Sequence, residues 1–240
     1  MLMNMACNSE SAPDCLQGSG EVVITEVSLS EFDRITVFEN VTLILKQGDT
    51  QKVEIETGEH LLEEVSATVE EGRLLLRDTN DCNYFRDYGL TKIYVTSPNI
   101  TEIRSSTGWP ILSDGVLGYP SLSLISESFI NPESETTDGE FDLEVASNNL
   151  SVVVNGIAYF KLSGSVENLS LNIAAGDSRI EAENLVAANI SLNHRGSNDM
   201  LVNPQESIRG TIRSVGNVIS FNRPAVIAVQ EDYKGELIFR

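Results

Sequence analysis

Asp138, Glu140, Asp142 and Glu144 alternate with Phe141, Leu143 and Val145. In a strand, residues i and i+2 share one face about 6.5–7 Å apart, so these four carboxylates form a row. Several hard oxygens in a row suit Ca²⁺. The spacing also matches the acid–base pair of an inverting glycosidase. The same row serves equally as an outward acidic face that keeps a strand edge soluble. A second oxygen-rich stretch, Asp78-Thr79-Asn80-Asp81-Cys82-Asn83, lacks the glycine and closing glutamate of an EF-hand loop and reads as a turn. Nearby Tyr84, Phe85, Tyr88 and Trp109 either stack on sugar rings or cap the core. His60 and His194 lack an accompanying nucleophile motif, and His194-Arg195-Gly196 reads as a polar corner. These residues make no catalytic set and call for no cofactor beyond Ca²⁺.

The elements that must position these groups are strands. From Glu21 to Pro98 the chain carries short alternating runs such as Val22-Val23-Ile24, Ile35-Thr36-Val37 and Val53-Glu54-Ile55-Glu56. Glu71-Gly72 separates two of these runs as a hairpin turn, and His60 to Val65 predicts a short helical turn. Further on, Gly156, Gly176, Gly196 and Gly216 recur every 20 residues. Asn149-Leu150-Ser151, Asn168-Leu169-Ser170 and Asn189-Ile190-Ser191 recur at spacings of 19 and 21. Two markers with one period are the signature of a solenoid, whose rungs bury their apolar rows only by stacking. Each rung is expected to hold two or three short strands, with Ser163-Gly164 as one turn and the period glycines at corners needing φ > 0 or close backbone approach. Pro98-Asn99-Ile100-Thr101 resembles an earlier copy of the Asn marker, and the clear repeat is expected over Leu122–Asn222. The pattern fades after Pro224, where the terminal strands serve as a cap. Three regions follow: 1–20, a signal remnant and tether; 21–98, an irregular β region; and 99–240, the repeat with its C-terminal cap.

The 240 residues carry a formal net charge of −20. Phosphate backbones and anionic lipid headgroups are repelled by such a surface, which excludes nucleic acid as a partner and leaves a lipid anchor as the expected membrane attachment. Met5-Ala6-Cys7-Asn8 resembles a bacterial lipoprotein junction, with Cys7 as the lipid-attachment residue, although Asn4 stands where an aliphatic residue is preferred. Cys15 and Cys82 lie in polar, turn-rich surroundings, which favours a disulfide between them in an oxidising compartment.

Gly18-Ser19-Gly20-Glu21-Val22-Val23, Ser30-Glu31-Phe32-Asp33-Arg34-Ile35 and Ile93-Tyr94-Val95-Thr96-Ser97-Pro98-Asn99-Ile100 resemble the head GIN domain family, labelled "putative autotransporter adhesin" and common in Bacteroidetes-type envelope lipoproteins. The resemblance covers roughly Gly18 to Arg240. It implies an all-β, right-handed parallel β-helix-like fold and a periplasmic or outer-membrane location. It brings no catalytic or binding residues with it. The expected function is a non-enzymatic adhesin or scaffold that binds an extracellular glycan or protein surface. A β-helix polysaccharide lyase or hydrolase and a structural component of the envelope are the alternatives.

Overall fold

In the computed structural model, residues 18–80, 89–129, 134 and 136–240 are described. Among them seventeen strands join a single sheet wrapped nearly closed around one core. In chain order they are β1 (Val22–Val27), β2 (Arg34–Val37), β3 (Thr42–Gln47), β4 (Lys52–Gly58), β5 (Val65–Glu70), β6 (Arg73–Asp78), β7 (Lys92–Ser97), β8 (Glu102–Ser105), β9 (Pro110–Ser113) and β10 (Ser121–Ser126). Then follow β11 (Glu140–Gly156), β12 (Tyr159–Gly176), β13 (Arg179–His194), β14 (Met200–Ile212), β15 (Val218–Ser220), β16 (Val226–Glu231) and β17 (Leu237–Phe239). A 3-10 turn at Leu62–Glu64 falls where the sequence places a helical turn.

Two parallel ladders run the length of the molecule. The first stacks β6, β2, β8, β10, β11, β12, β13, β14 and β16 in that spatial order. Its inward column reads Leu74, Ile35, Ile103, Leu124, Val152, Leu171 and Leu192, all buried. The second stacks β7, β3, β9, the leading halves of β11 to β14, then β15 and β17. Its inward column reads Ile93, Leu43, Ile111, Phe141, Phe160, Ile180, Met200 and Val218. Every one of these is fully buried, and the Phe141 and Phe160 rings stack with centroids 4.6 Å apart. A column of like side chains in register is what one rung cannot build alone.

The ladders reach beyond Leu122–Asn222 in both directions. Gly235 continues the glycine series, and Leu237 sits in register on Val218. At the other end β2 is inserted between β6 and β8, and β3 between β7 and β9. The first hundred residues thus build the same ladders, but out of sequence order. Antiparallel strands close this end: β5 lies on β6, β4 on β7, and β1 on β4. The β5–β6 turn places both Glu71 (φ 48) and Gly72 (φ 75) in the left-handed region, the geometry of a two-residue hairpin loop.

Two local expectations are corrected and a third is narrowed. The rungs are not pairs of short strands. β12 runs unbroken through Ser163-Gly164, where Gly164 bends the strand with φ 104 and lies against the Val145 carbonyl. The corner glycines serve close approach more than positive φ. Of Gly156, Gly176, Gly196 and Gly216 only Gly176 has φ in the left-handed region, while a Cβ on Gly176 or Gly216 would meet the Gly156 or Asn198 carbonyl at 2.0 or 2.1 Å. The Asn99 copy of the marker is out of register, because Ser151 aligns through Ser123 with Glu102 rather than Thr101.

Candidate functional site

Rungs β10 to β13 present two outward faces of opposite character. On the first ladder the Asn–apolar–Ser marker lies in register. Asn149, Asn168 and Asn189 form one outward row, continued by Ser207, and Ser151, Ser170 and Ser191 form the next. A third row holds Ile125, Val153, Asn172 and Asn193. None of these positions carries a charge. The amides are linked along the stack. Asn168 Nδ2 donates to Asn149 Oδ1 at 3.2 Å, Asn193 Nδ2 to Asn172 Oδ1 at 2.7 Å, and Ser207 Oγ to Asn189 Oδ1 at 2.7 Å. The Ser170 and Ser191 hydroxyls stand exposed between these rows. The first two rows, with Leu150, Leu169 and Ile190 between them, line a groove of about 440 Å³ that begins at Thr101 and ends at the exposed Arg209.

The second ladder carries the predicted acids. Glu140 aligns with Tyr159 and then Arg179, and Asp142 with Lys161 and then Glu181. One member of the row, Asp142, is therefore met by a cation from the next rung, and the rung after that carries an ion pair of its own. Lys161 Nζ lies 2.7 Å from Asp142 Oδ2, and Arg179 Nε lies 2.7 Å from Glu181. Tyr159 donates its phenolic proton to Glu181, which together with burial pushes the phenol up to about 12. The bonds from Tyr159 and Arg179 hold the Glu181 carboxyl below its usual range. Asp138, Glu140 and Glu144 are exposed, and among the described residues no group of three or more His, Cys, Asp or Glu converges as a metal site. The sequence shows the acids but not the partner of Asp142, which stands 19 residues further along the chain.

The other predicted residues are placed as follows. Trp109 is half-buried, and the Gly89 main chain lies against its ring, where a Cβ would come within 2.5 Å of Cζ3. Tyr84, Tyr88, Cys7, Cys15 and Cys82 lie outside the described residues. His194 is not a polar corner. It points inward between Ile173 and Ile212 and is fully buried. Its Nδ1 accepts from the Gly196 N–H at 3.4 Å, and its Nε2 has no hydrogen-bond partner. Burial holds the imidazole below its usual range, opposed by the Asn198 backbone and the Asp199 charge. A further feature escaped the sequence. Arg104 points outward from β8 yet is buried in an ion pair with Glu127 at 2.8 Å, beneath the segment that follows β10.

The family model described as "Putative auto-transporter adhesin, head GIN domain" matches residues 31–224, and the chain belongs to that family. The fold is shared with a putative adhesin from Bacteroides fragilis NCTC 9343, at 19% identity over 93% of this chain and 99% of that one, with a TM-score of 0.80. A putative adhesin from Parabacteroides merdae ATCC 43184 is similar at 16% identity, over 92% and 98% of the two chains, with a TM-score of 0.63. A protein from Parabacteroides distasonis ATCC 8503 described as a putative lipid binding protein follows at 17% identity, over 91% and 97%, with a TM-score of 0.62. No curated protein matches the chain. Among the described residues no helix is long and apolar enough to cross a membrane.

Proposed function

We propose that this chain is a non-enzymatic, envelope-held adhesin, built as a right-handed parallel β-helix, that docks uncharged glycan chains along its Asn/Ser face. The observation that carries this reading is charge. In a chain of net charge −20, the outward positions of β10 to β13 on the first ladder hold none. A strip of amides and hydroxyls offers donors and acceptors to sugar hydroxyls without desolvating an ion. The Val153 and Ile125 side chains beside them supply apolar contact for ring faces. Right-handed winding follows from the preference of about 98% of parallel strand connections for that hand. Lipid attachment at Cys7 supplies the membrane tether, with a Cys15–Cys82 disulfide as the staple of the leading segment. The acidic surface argues against nucleic acid as partner.

The test is a glycan array probed with the soluble chain and with Ser170→Arg. The proposal expects retention of neutral oligosaccharides by the parent and loss in the variant, with both melting alike. Retention that survives Ser170→Arg, or none by the parent, would overturn it.

A further inference from the structure

The two ends of the stack differ. The leading end is closed by the antiparallel strands β1, β4 and β5. At the trailing end β16 pairs with β14 and β17 with β15, and among the described residues neither has a strand on its other side. Ile227 sits in register on the fully buried Ile208, in the inward column, yet is 40% exposed. Leu237 and Phe239 continue the inward column of Val218 and Ser220 and are likewise only half-covered. Among the described residues this rung therefore presents an unpaired strand edge with part of the core showing, a template for further pairing.

Charge says what covers it. From Arg223 to Arg240 there are three basic residues (Arg223, Lys234, Arg240) and three acidic ones (Glu231, Asp232, Glu236). This end is neutral in a chain of net charge −20, so two copies can meet here without the repulsion they feel elsewhere. Another exposed edge, β1, also shows apolar side chains, Val22 and Ile24. It lies in a stretch, Glu21 to Asp33, with four acids and no base, where two copies repel. The outward residues of β16 are Val226, Ala228 and Gln230, all uncharged, with Arg209 of β14 standing between them and the Asn/Ser rows.

We propose that a second copy of this chain docks end to end on the β16–β17 edge through a two-fold axis. The open edges of the two copies pair, and Ile227 and its neighbours are buried. A two-fold contact uses the same edge on both copies and so closes at the dimer.

Sedimentation velocity across a range of concentrations at physiological salt, on the full chain, tests this. The expected result is a monomer–dimer equilibrium that Ile227→Lys weakens by at least about tenfold. Ile238→Lys on β17, 39% exposed, does the same, and Ile24→Lys on β1 leaves the equilibrium unchanged. Circular dichroism melts of the variants separate lost docking from lost folding. A monomer at every concentration, growth beyond the dimer, or a dimer abolished by Ile24→Lys would each overturn the proposal.

Discussion

The two long faces of the stack are made by the same strands, β11 to β13, and share one core, yet one is bound by amides and the other by ions. On the first ladder Asn149, Asn168 and Asn189 repeat the same residue from rung to rung. On the second, Asp142, Lys161 and Glu181 alternate in sign. Like charges stacked in register would repel at the spacing of adjacent strands. On β11 to β13 the charged face therefore varies from rung to rung, whereas the neutral one repeats. Repetition here marks the face free of ion pairs, and alternation the face where Asp142 pairs with Lys161 and Arg179 with Glu181.

If the faces differ only outward, the cores beneath them should respond alike. Phe160→Ala, under the charged face, is expected to cost about 3–5 kcal/mol, and Leu171→Ala, under the neutral face, about 2–5 kcal/mol, in denaturant unfolding. A small loss at either site would mean that one ladder is not a true core wall. The corner between the faces gives the next largest effect. Gly115 and Gly176 both have φ in the left-handed region, but a Cβ on Gly115 meets nothing within 4 Å. Gly115→Ala should cost about 1–2 kcal/mol for the backbone alone. Gly176→Ala should cost a further ~1–3 kcal/mol or more, because the Gly156 carbonyl must move. Equal losses would remove the role given to close approach.

His194 closes the inward column near that corner, and its lowered affinity for a proton has a defined sign. Unfolded, the imidazole titrates near 6.5, while folded it resists the proton. Stability is therefore full above about pH 7 and falls as pH drops below about 6.5, by up to about 1.4 kcal/mol per unit, until the lowered native value is passed. The difference in stability between the parent and His194→Leu, measured from pH 7.5 to 5.5, should show this slope; a flat difference would contradict it. The smallest effects are on the surface. Asn168→Ala and Lys161→Met should each cost within about 1 kcal/mol. Only the lysine effect should shrink in high salt, since Lys161 and Asp142 are both about half exposed. A salt response at Asn168 would erase the distinction between the faces.

The repeat and the neutral face were legible in the sequence wherever each rung follows its predecessor. Asn168 and Asn189 align in the chain as they align in space. The first hundred residues hid the same ladders because β2 is inserted between β6 and β8, so neighbours in space are far apart in sequence. The partner of Asp142 was hidden for the same reason. Lys161 faces Asp142 across a ladder, not along a strand. His194 misled because its polar flanks, Asn193 and Arg195, point outward while its own place in the alternation points inward. Strand parity, counted from Leu192, would have placed it in the core.

The division between the faces is tested most directly by a nitrogen-15 HSQC titration of the chain with a neutral oligosaccharide retained on the array. The side-chain amides of Asn168 and Asn189 should shift together with the backbone amides of Ser170 and Ser191, while Asp142, Lys161 and Glu181 stay still. Shifts confined to Asp142, Lys161 and Glu181, with the asparagine amides unmoved, would contradict the account.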